Sequence, residues 1–217
     1  MKIFLNDRTI EFHTVCPENP MNTMLVVEYH SNVLLQEAWD EFSRYEKYRQ
    51  LIIFTTDKTQ DISGVFESFA SLFKIVYAAG GLVKNEKGEY LFIHRLGFWD
   101  LPKGKIDKKD VPGAEFTRKD IQSARAAAIR EVKEETGLNE LLVLRELSAT
   151  WHIYLMKERW ILKKTQWFEM EADSGQTLKP QTSEGIFLVK WTSLKAIHCI
   201  LSHTYSSIRE LLLEVLF

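Results

Sequence analysis

Three carboxylates carry the chemistry that is most legible in this chain. Glu131, Glu134 and Glu135 lie at i, i+3 and i+4 in the run Arg130-Glu131-Val132-Lys133-Glu134-Glu135-Thr136-Gly137-Leu138. On a helix that spacing sets them side by side, and like charges so placed repel by about a few tenths of a kcal/mol per pair. A sequence that gathers them needs a compensating positive charge. A hard divalent cation, Mg²⁺, Mn²⁺ or Ca²⁺, suits oxygen ligands of this kind.

Upstream, Trp99-Asp100-Leu101-Pro102-Lys103-Gly104-Lys105 reads as a Pro-x-Gly turn leading into a charged loop. Gly104 lets backbone approach a ligand closely, and its carbonyl could face a cation. Lys103 and Lys105 suit phosphate oxygens, and Lys108, Lys109, Arg118 and Lys119 extend the basic loop. Carboxylates for a metal beside cations for an anion are what cleavage of a phosphoanhydride requires. The metal bridges phosphate oxygens and acidifies an attacking water, while Lys and Arg neutralise charge.

The elements that must position these groups follow from periodicity. Gln122–Thr136 is the strongest helix, rich in alanine, with Gly137 where a C-terminal cap belongs. Strand character marks Ile75–Val83, Tyr90–Arg95, Leu141–Tyr154 and Thr165–Glu171. Lys87-Gly88 turns the first two into a hairpin. Short helices are expected at Ser193–Ile200 and Tyr205–Val215. Ahead of this region, a hairpin around Asn6-Asp7-Arg8, a helix over Val33–Tyr45, a strand Leu51–Thr55 and a helix Ile62–Phe73 give a ββαβα order. Residues 1–73 therefore read as a small α/β domain or cap, and residues 74–217 as the main domain.

Composition narrows the class. The 217 residues are 45% hydrophobic and 27% charged, enough for a sizeable core. The net charge of −2 divides into −5 over residues 1–73 and +3 over the remainder, which points to no nucleic-acid partner. Cys16 and Cys199 stand in no metal-like spacing and read as reduced thiols. No apolar run has the length of a membrane span, so a cytoplasmic protein is expected. His94, His152 and His203 show no ligand spacing and read as structural.

Gly104 followed by Arg130-Glu131-x-x-Glu134-Glu135-x-Gly137-Leu138 resembles the Nudix box, which is Gly, five residues, Glu, seven residues, then Arg-Glu-apolar-x-Glu-Glu-x-Gly-apolar. Ala78-Ala79-Gly80-Gly81 and the Trp99–Gly104 segment also look like that family, and the resemblance covers about residues 75–217. Two departures stand out. The box glutamate eight residues before Arg130 is Gln122, and the five residues after Gly104 have become seventeen, residues 105–121. Pro112-Gly113 marks the insertion as an exposed loop, and Glu115 within it is a candidate substitute ligand.

The resemblance implies a mixed, largely antiparallel sheet between helices, an α/β (α+β) fold. It also implies hydrolysis of nucleoside diphosphates linked to another moiety, with Mg²⁺ or Mn²⁺ as cofactor. Carried over by position, Glu131, Glu134 and Glu135 with Gly104 bind the metal. Glu131 orients or deprotonates water, and Arg130 pairs with a box glutamate. Glu184, in a loop after the box, supplies a further base or ligand. Arg95, Lys103, Lys105 and Tyr154 are the substrate-binding candidates, Tyr154 because dinucleoside polyphosphate hydrolases tend to carry a tyrosine at that remove from the box. The form of the Trp99–Gly104 segment is shared with enzymes acting on dinucleoside polyphosphates and on diphosphoinositol polyphosphates. Dinucleoside polyphosphates lead as substrates, with ADP-ribose, sugar nucleotides and diphosphoinositols as alternatives and a non-catalytic nucleotide sensor as a separate class. Residues 1–73 could form a homodimer interface, cover the site or bind a partner. If position 122 faces the cation, Gln122→Glu tightens Mg²⁺ binding; an unchanged Mg²⁺ titration of that variant counts against this placement.

Overall fold

The computed structural model describes residues 1–57, 59–107 and 118–217, with Arg118 and Lys119 described by backbone alone. Lys108, Lys109, Pro112, Gly113 and Glu115 lie outside the described residues. The elements run β1 (Lys2–Leu5), β2 (Arg8–His13), β3 (Met24–Glu28), α1 (Asn32–Arg44), β4 (Gln50–Phe54), α2 (Ile62–Ala70), β5 (Lys74–Lys84), β6 (Glu89–Arg95), β7 (Phe98–Asp100), β8 (Lys103–Lys105), α3 (Arg118–Thr136), β9 (Leu142–Met156), β10 (Arg159–Glu171), β11 (Ile186–Ser193), α4 (Ile197–Ser202) and α5 (Ser206–Leu216). The chain divides into two compact units, one of Met1–Ile75 with Trp151–Lys163, the other of Val76–Thr150 with Lys164–Phe217.

In the first unit β1 and β2 form an antiparallel hairpin, and β4 lies parallel to both β2 and β3. Alternate strand residues Ile3, Leu5, Ile10, Phe12, Leu51 and Ile53 point to one core. α1 begins at Ser31, whose hydroxyl accepts from Leu34 N at 3.3 Å. It buries Leu35, Ala38, Trp39 and Phe42 against that core, and α2 buries Val65, Phe66 and Phe69. Edge-to-face contacts of Phe12 with Phe66 (5.2 Å) and of Trp39 with Phe73 (4.9 Å) fill the space between. The observed order is βββαβα. β3 was not expected: its apolar run is short and without alternation, and it becomes a strand through its pairing with β4. The tip of the β9–β10 pair also belongs here. It turns at Lys157-Glu158 with φ of +49° and +60° and adds Ile153 and Leu162 to the core.

The second unit is a layered α+β arrangement. Its strand order is β11-β6-β5-β10-β9, with β7 paired to β6 and β8 to β5. One face, through Ala79, Val83, Leu91, Ile93 and Phe168, packs against Ala124, Ala127, Ala128 and Val132 of α3. The opposite face, through Leu82, Phe92 and Trp167, packs against Ile197, Ile200, Ile208 and Leu211 of the C-terminal helices. The segment read as a Pro-x-Gly loop is a strand: β8 pairs antiparallel with β5 from Ala78–Lys105 to Gly80–Lys103. Its alternation is too short to register as strand periodicity, and the pairing with β5 fixes it.

α3 ends at Gly137, whose φ of +82° suits glycine. Gly137 N donates to Lys133 O at 2.9 Å, and Lys179 N and Gln181 N donate to the carbonyls of Thr136 and Glu135. The segment around Lys179 is thereby held on the helix terminus, where a Cβ at position 137 would stand 2.7 Å from Lys179 N. Gly137→Ala should cost about 2 kcal/mol or more from left-handed strain and displacement of this segment, read as a lowered midpoint of urea unfolding with unchanged slope. A midpoint within error of wild type would refute that account of the helix end.

Candidate active site

The site is built around Glu135, whose side chain has no exposed surface. Its Oε2 accepts from the backbone N–H of Lys103 at 2.8 Å. Its Oε1 lies 3.7 Å from Arg95 Nη1, too far for a hydrogen bond, and has no hydrogen-bond partner. Burial pushes its pKa up to about 7; Asp100 acts in the same direction, while Lys103 and Arg95 oppose it.

Glu131, one turn earlier on α3, is 7% exposed and lies directly against Gly104. A Cβ at position 104 would fall 2.0 Å from the Glu131 carboxylate, so glycine here makes room for that carboxylate. Burial raises the pKa of Glu131, Glu134 and Glu184 add to the rise, and Arg130 opposes it. Arg130 reaches 2.7 Å from Glu131 Oε1 and 3.0 Å from Glu134 Oε2, and donates to the Lys105 carbonyl at 3.0 Å. It thus ties α3 to β8.

Glu184 ends a short 3-10 turn, Thr182–Glu184, closed by Gly185 with φ +75°. Its Oε2 lies 3.7 Å from Arg95 Nη1, the same distance at which Arg95 meets Glu135. Arg95 closes β6 immediately before a turn at Leu96 (φ +51°) and Gly97 (φ +86°). The guanidinium stands between two carboxylates, with a buried Nε that has no hydrogen-bond partner.

The structure therefore brings together Gly104, Arg130, Glu131, Glu134, Glu135, Glu184 and Arg95 within the second unit. Lys103 is there too, but its ammonium is paired with Asp100 and is mostly buried. The Lys103 side chain thus holds the start of β8, while its backbone N–H donates to Glu135. Lys105 is exposed. Gln122 is exposed on α3. Tyr154 falls in the first unit, half-buried with its ring 5.5 Å from that of His152.

Sequence reading assigned no role to three residues at this site. Asp100 is buried and bonded to Lys103 and to Leu101 N. Gln181 has a buried, unpaired side-chain oxygen. Tyr205 packs on Phe98 at 5.1 Å, and its phenol pKa is raised by burial and by the charge of Asp100. Asp100 stood in a quoted motif without an assigned role, whereas Tyr205 lies over 100 residues away and carries no local signal.

Among the described residues no three carboxylate, imidazole or thiol groups stand gathered as a finished ligand set for a metal. The donor chemistry nonetheless suits a hard divalent cation: Glu131, Glu134, Glu135 and Glu184 offer only carboxylate oxygens, and Glu135 Oε1 is buried without a partner. Each of two arginines lies by two of these carboxylates, Arg130 at Glu131 and Glu134, Arg95 at Glu135 and Glu184.

A family model described as the NUDIX domain matches residues 74–213. A candidate 8-oxo-dGTP diphosphatase of Bacillus subtilis (strain 168) is 40% identical over 63 residues, 28% of this chain and 34% of that protein. This chain thus spans about a third of that relative's length. A crystal structure of a Caenorhabditis elegans Ap4A hydrolase binary complex is similar with 24% identity, over 64% of this chain and 93% of that one, with a TM-score of 0.44. The MutT protein of Methanosarcina mazei Go1 is similar with 21% identity, over 65% and 93% of the two chains, with a TM-score of 0.47. No helix among the described residues is long and apolar enough to cross a membrane.

The raised pKa of Glu135 makes a signed prediction. A carboxyl that ionises near pH 7 when folded and near 4.5 when unfolded stabilises the fold fully below pH 4.5, and that contribution is lost as pH rises through 7. In chelator, raising the pH from 5 to 8 should remove about 2–3 kcal/mol of stability through this group. Glu135→Gln should abolish this part of the pH dependence, so that the variant is the more stable protein at pH 8. Thermal melts of both proteins that shift in parallel between pH 5 and 8 would defeat it.

Proposed function

This chain belongs to the Nudix family, and from that premise we propose that it hydrolyses phosphoanhydride bonds in nucleoside diphosphate derivatives, dinucleoside polyphosphates foremost, with Mg²⁺ or Mn²⁺. The observation that carries the reading is the buried Glu135 carboxylate, with one oxygen unpaired, on the same helix as Glu131 and Glu134 and beside Arg95 and Glu184. A burial this costly for a carboxylate is a mark of function more often than of stability.

When bound, the divalent cation would be held by Glu131, Glu134, Glu135 and Glu184 and would supply Lewis acidity toward phosphate oxygens and water. The chain's own groups do the rest. Gly104 leaves the Glu131 carboxylate close to the backbone of β8, and Arg130 fixes its orientation at 2.7 Å. Glu131 is the group assigned to take a proton from the attacking water. The water oxygen bonds to phosphorus, the bridging P–O bond breaks, and the bridging oxygen leaves with the second phosphate. Two phosphate-bearing products result, and the proton passes from Glu131 to solvent. Arg95 and Lys105 neutralise charge on the phosphate chain. Lys103 and Asp100 keep β8 in place and so hold Glu135.

Gln122 favours a second reading, a nucleotide-binding sensor with little turnover, because an amide there contributes no negative charge toward a cation. The two readings separate on a panel of dinucleoside polyphosphates, 8-oxo-dGTP, ADP-ribose, sugar nucleotides and diphosphoinositols, assayed with Mg²⁺, Mn²⁺ and chelator. The enzyme reading expects two phosphate-bearing products from at least one substrate, loss of turnover in chelator, and a fall of about a hundredfold or more in Glu135→Gln. Binding without hydrolysis across the panel would establish the sensor instead.

A further inference from the structure

We infer that Arg95 and the divalent cation hold Glu135 and Glu184 in alternation, so that cation binding transfers Arg95 to the phosphate chain of the substrate. The inference rests on the metal-dependent reading above and assigns Arg95 a second role within it: it sets how tightly the cation binds before substrate arrives.

The two arginines of the site are held differently. Arg130 makes short, directed contacts at 2.7 and 3.0 Å to two carboxylates and a further 3.0 Å hydrogen bond to a carbonyl. Arg95 makes none at that range. It stands 3.7 Å from Glu135 Oε1 and 3.7 Å from Glu184 Oε2, its Nε is buried without a partner, and Glu135 Oε1 is buried without a partner. A buried donor and a buried acceptor without partners retain most of their desolvation cost, which a better partner for either relieves.

Each has a better partner in the proposed reaction. Glu135 Oε1 is held in place, because its other oxygen is fixed by Lys103 N at 2.8 Å and the side chain is fully enclosed. A hard cation bonds such an oxygen directly, in competition with the guanidinium charge 3.7 Å away. The guanidinium, for its part, forms paired short bonds to phosphate oxygens. Arg95 has somewhere to go: its side chain is 29% exposed, at the end of β6 where Leu96 and Gly97 reverse the chain with positive φ. Cation binding and phosphate binding are therefore coupled through one side chain, and a substrate that carries its own cation completes both exchanges at once.

The test is Mn²⁺ binding to the full chain without substrate, by calorimetry, in wild type, Arg95→Gln and Arg95→Lys. With the competing charge removed, Arg95→Gln should bind Mn²⁺ roughly tenfold tighter, while its kcat/KM on the best panel substrate falls. Arg95→Lys should lie between. A purely structural arginine would weaken both quantities together. In wild-type protein, the Arg95 Nε–H resonance, assigned by its loss in Arg95→Lys, should shift and exchange faster with solvent as Mg²⁺ is added, whether or not Arg95→Gln folds. Unchanged or weaker Mn²⁺ binding by a folded Arg95→Gln, or an Arg95 resonance unmoved at saturating Mg²⁺, overturns the exchange. Wild-type hydrolysis with either of these results leaves the proposed function standing, whereas wild-type protein that neither binds Mn²⁺ nor hydrolyses any substrate removes both.

Discussion

The Glu135 carboxylate sits where an unpaired charge is expensive, and the rest of the site is arranged to keep it there. One oxygen is held by the backbone N–H of Lys103. That N–H is available only because β8 pairs with β5 at a register that sets Gly80 opposite Lys103 and Ala79 opposite Gly104. The same register sets the bare Cα of Gly104 against Glu131. The pairing of the Lys103 ammonium with Asp100, itself anchored to Leu101 N, holds the strand from its other side. A shift of β8 by one residue would remove the N–H from Glu135 and drive a Cβ into Glu131.

The helix and the loop beyond it obey the same constraint. α3 delivers Glu131 and Glu135 to the sheet because its alanine-rich face, Ala124, Ala127 and Ala128 with Val132, packs closely against β5, β6 and β10. Larger residues there would lift the helix and with it the carboxylates. At the C-terminus, the free carbonyls of Glu135 and Thr136 accept from Gln181 and Lys179. Capping the helix and placing Glu184 are therefore one event: the segment that satisfies the helix end carries the turn that brings Glu184 to Arg95.

Sequence reading found the parts whose signals are local. The i, i+3, i+4 carboxylates, the glycine cap and the amphipathic helices of the first unit are encoded within a few residues, and they stand where periodicity put them. What escaped it depends on partners far along the chain. β3 is a strand because β4 lies beside it, and β8 because β5 does. Lys103 reads as a free loop cation until Asp100 is seen to pair with it. Gln181 has no signature at all, since an unpaired buried amide oxygen exists only in the folded protein.

Every group placed at the site belongs to the second unit. The carboxylates are positioned by backbone pairing, a bare glycine and a helix end, none of which depends on the side chains at the solvent edge of the site. The groups on the solvent side, Lys105, the Phe98–Tyr205 pair and the exposed Leu96, are side chains on turns and strand ends. They can change without moving β8 or α3. Arg95 stands at the boundary, fixed through β6 to the sheet but bonded loosely enough to serve either side. The costly buried charge is secured by the fold, while the side chains on turns and strand ends are free to differ without disturbing it.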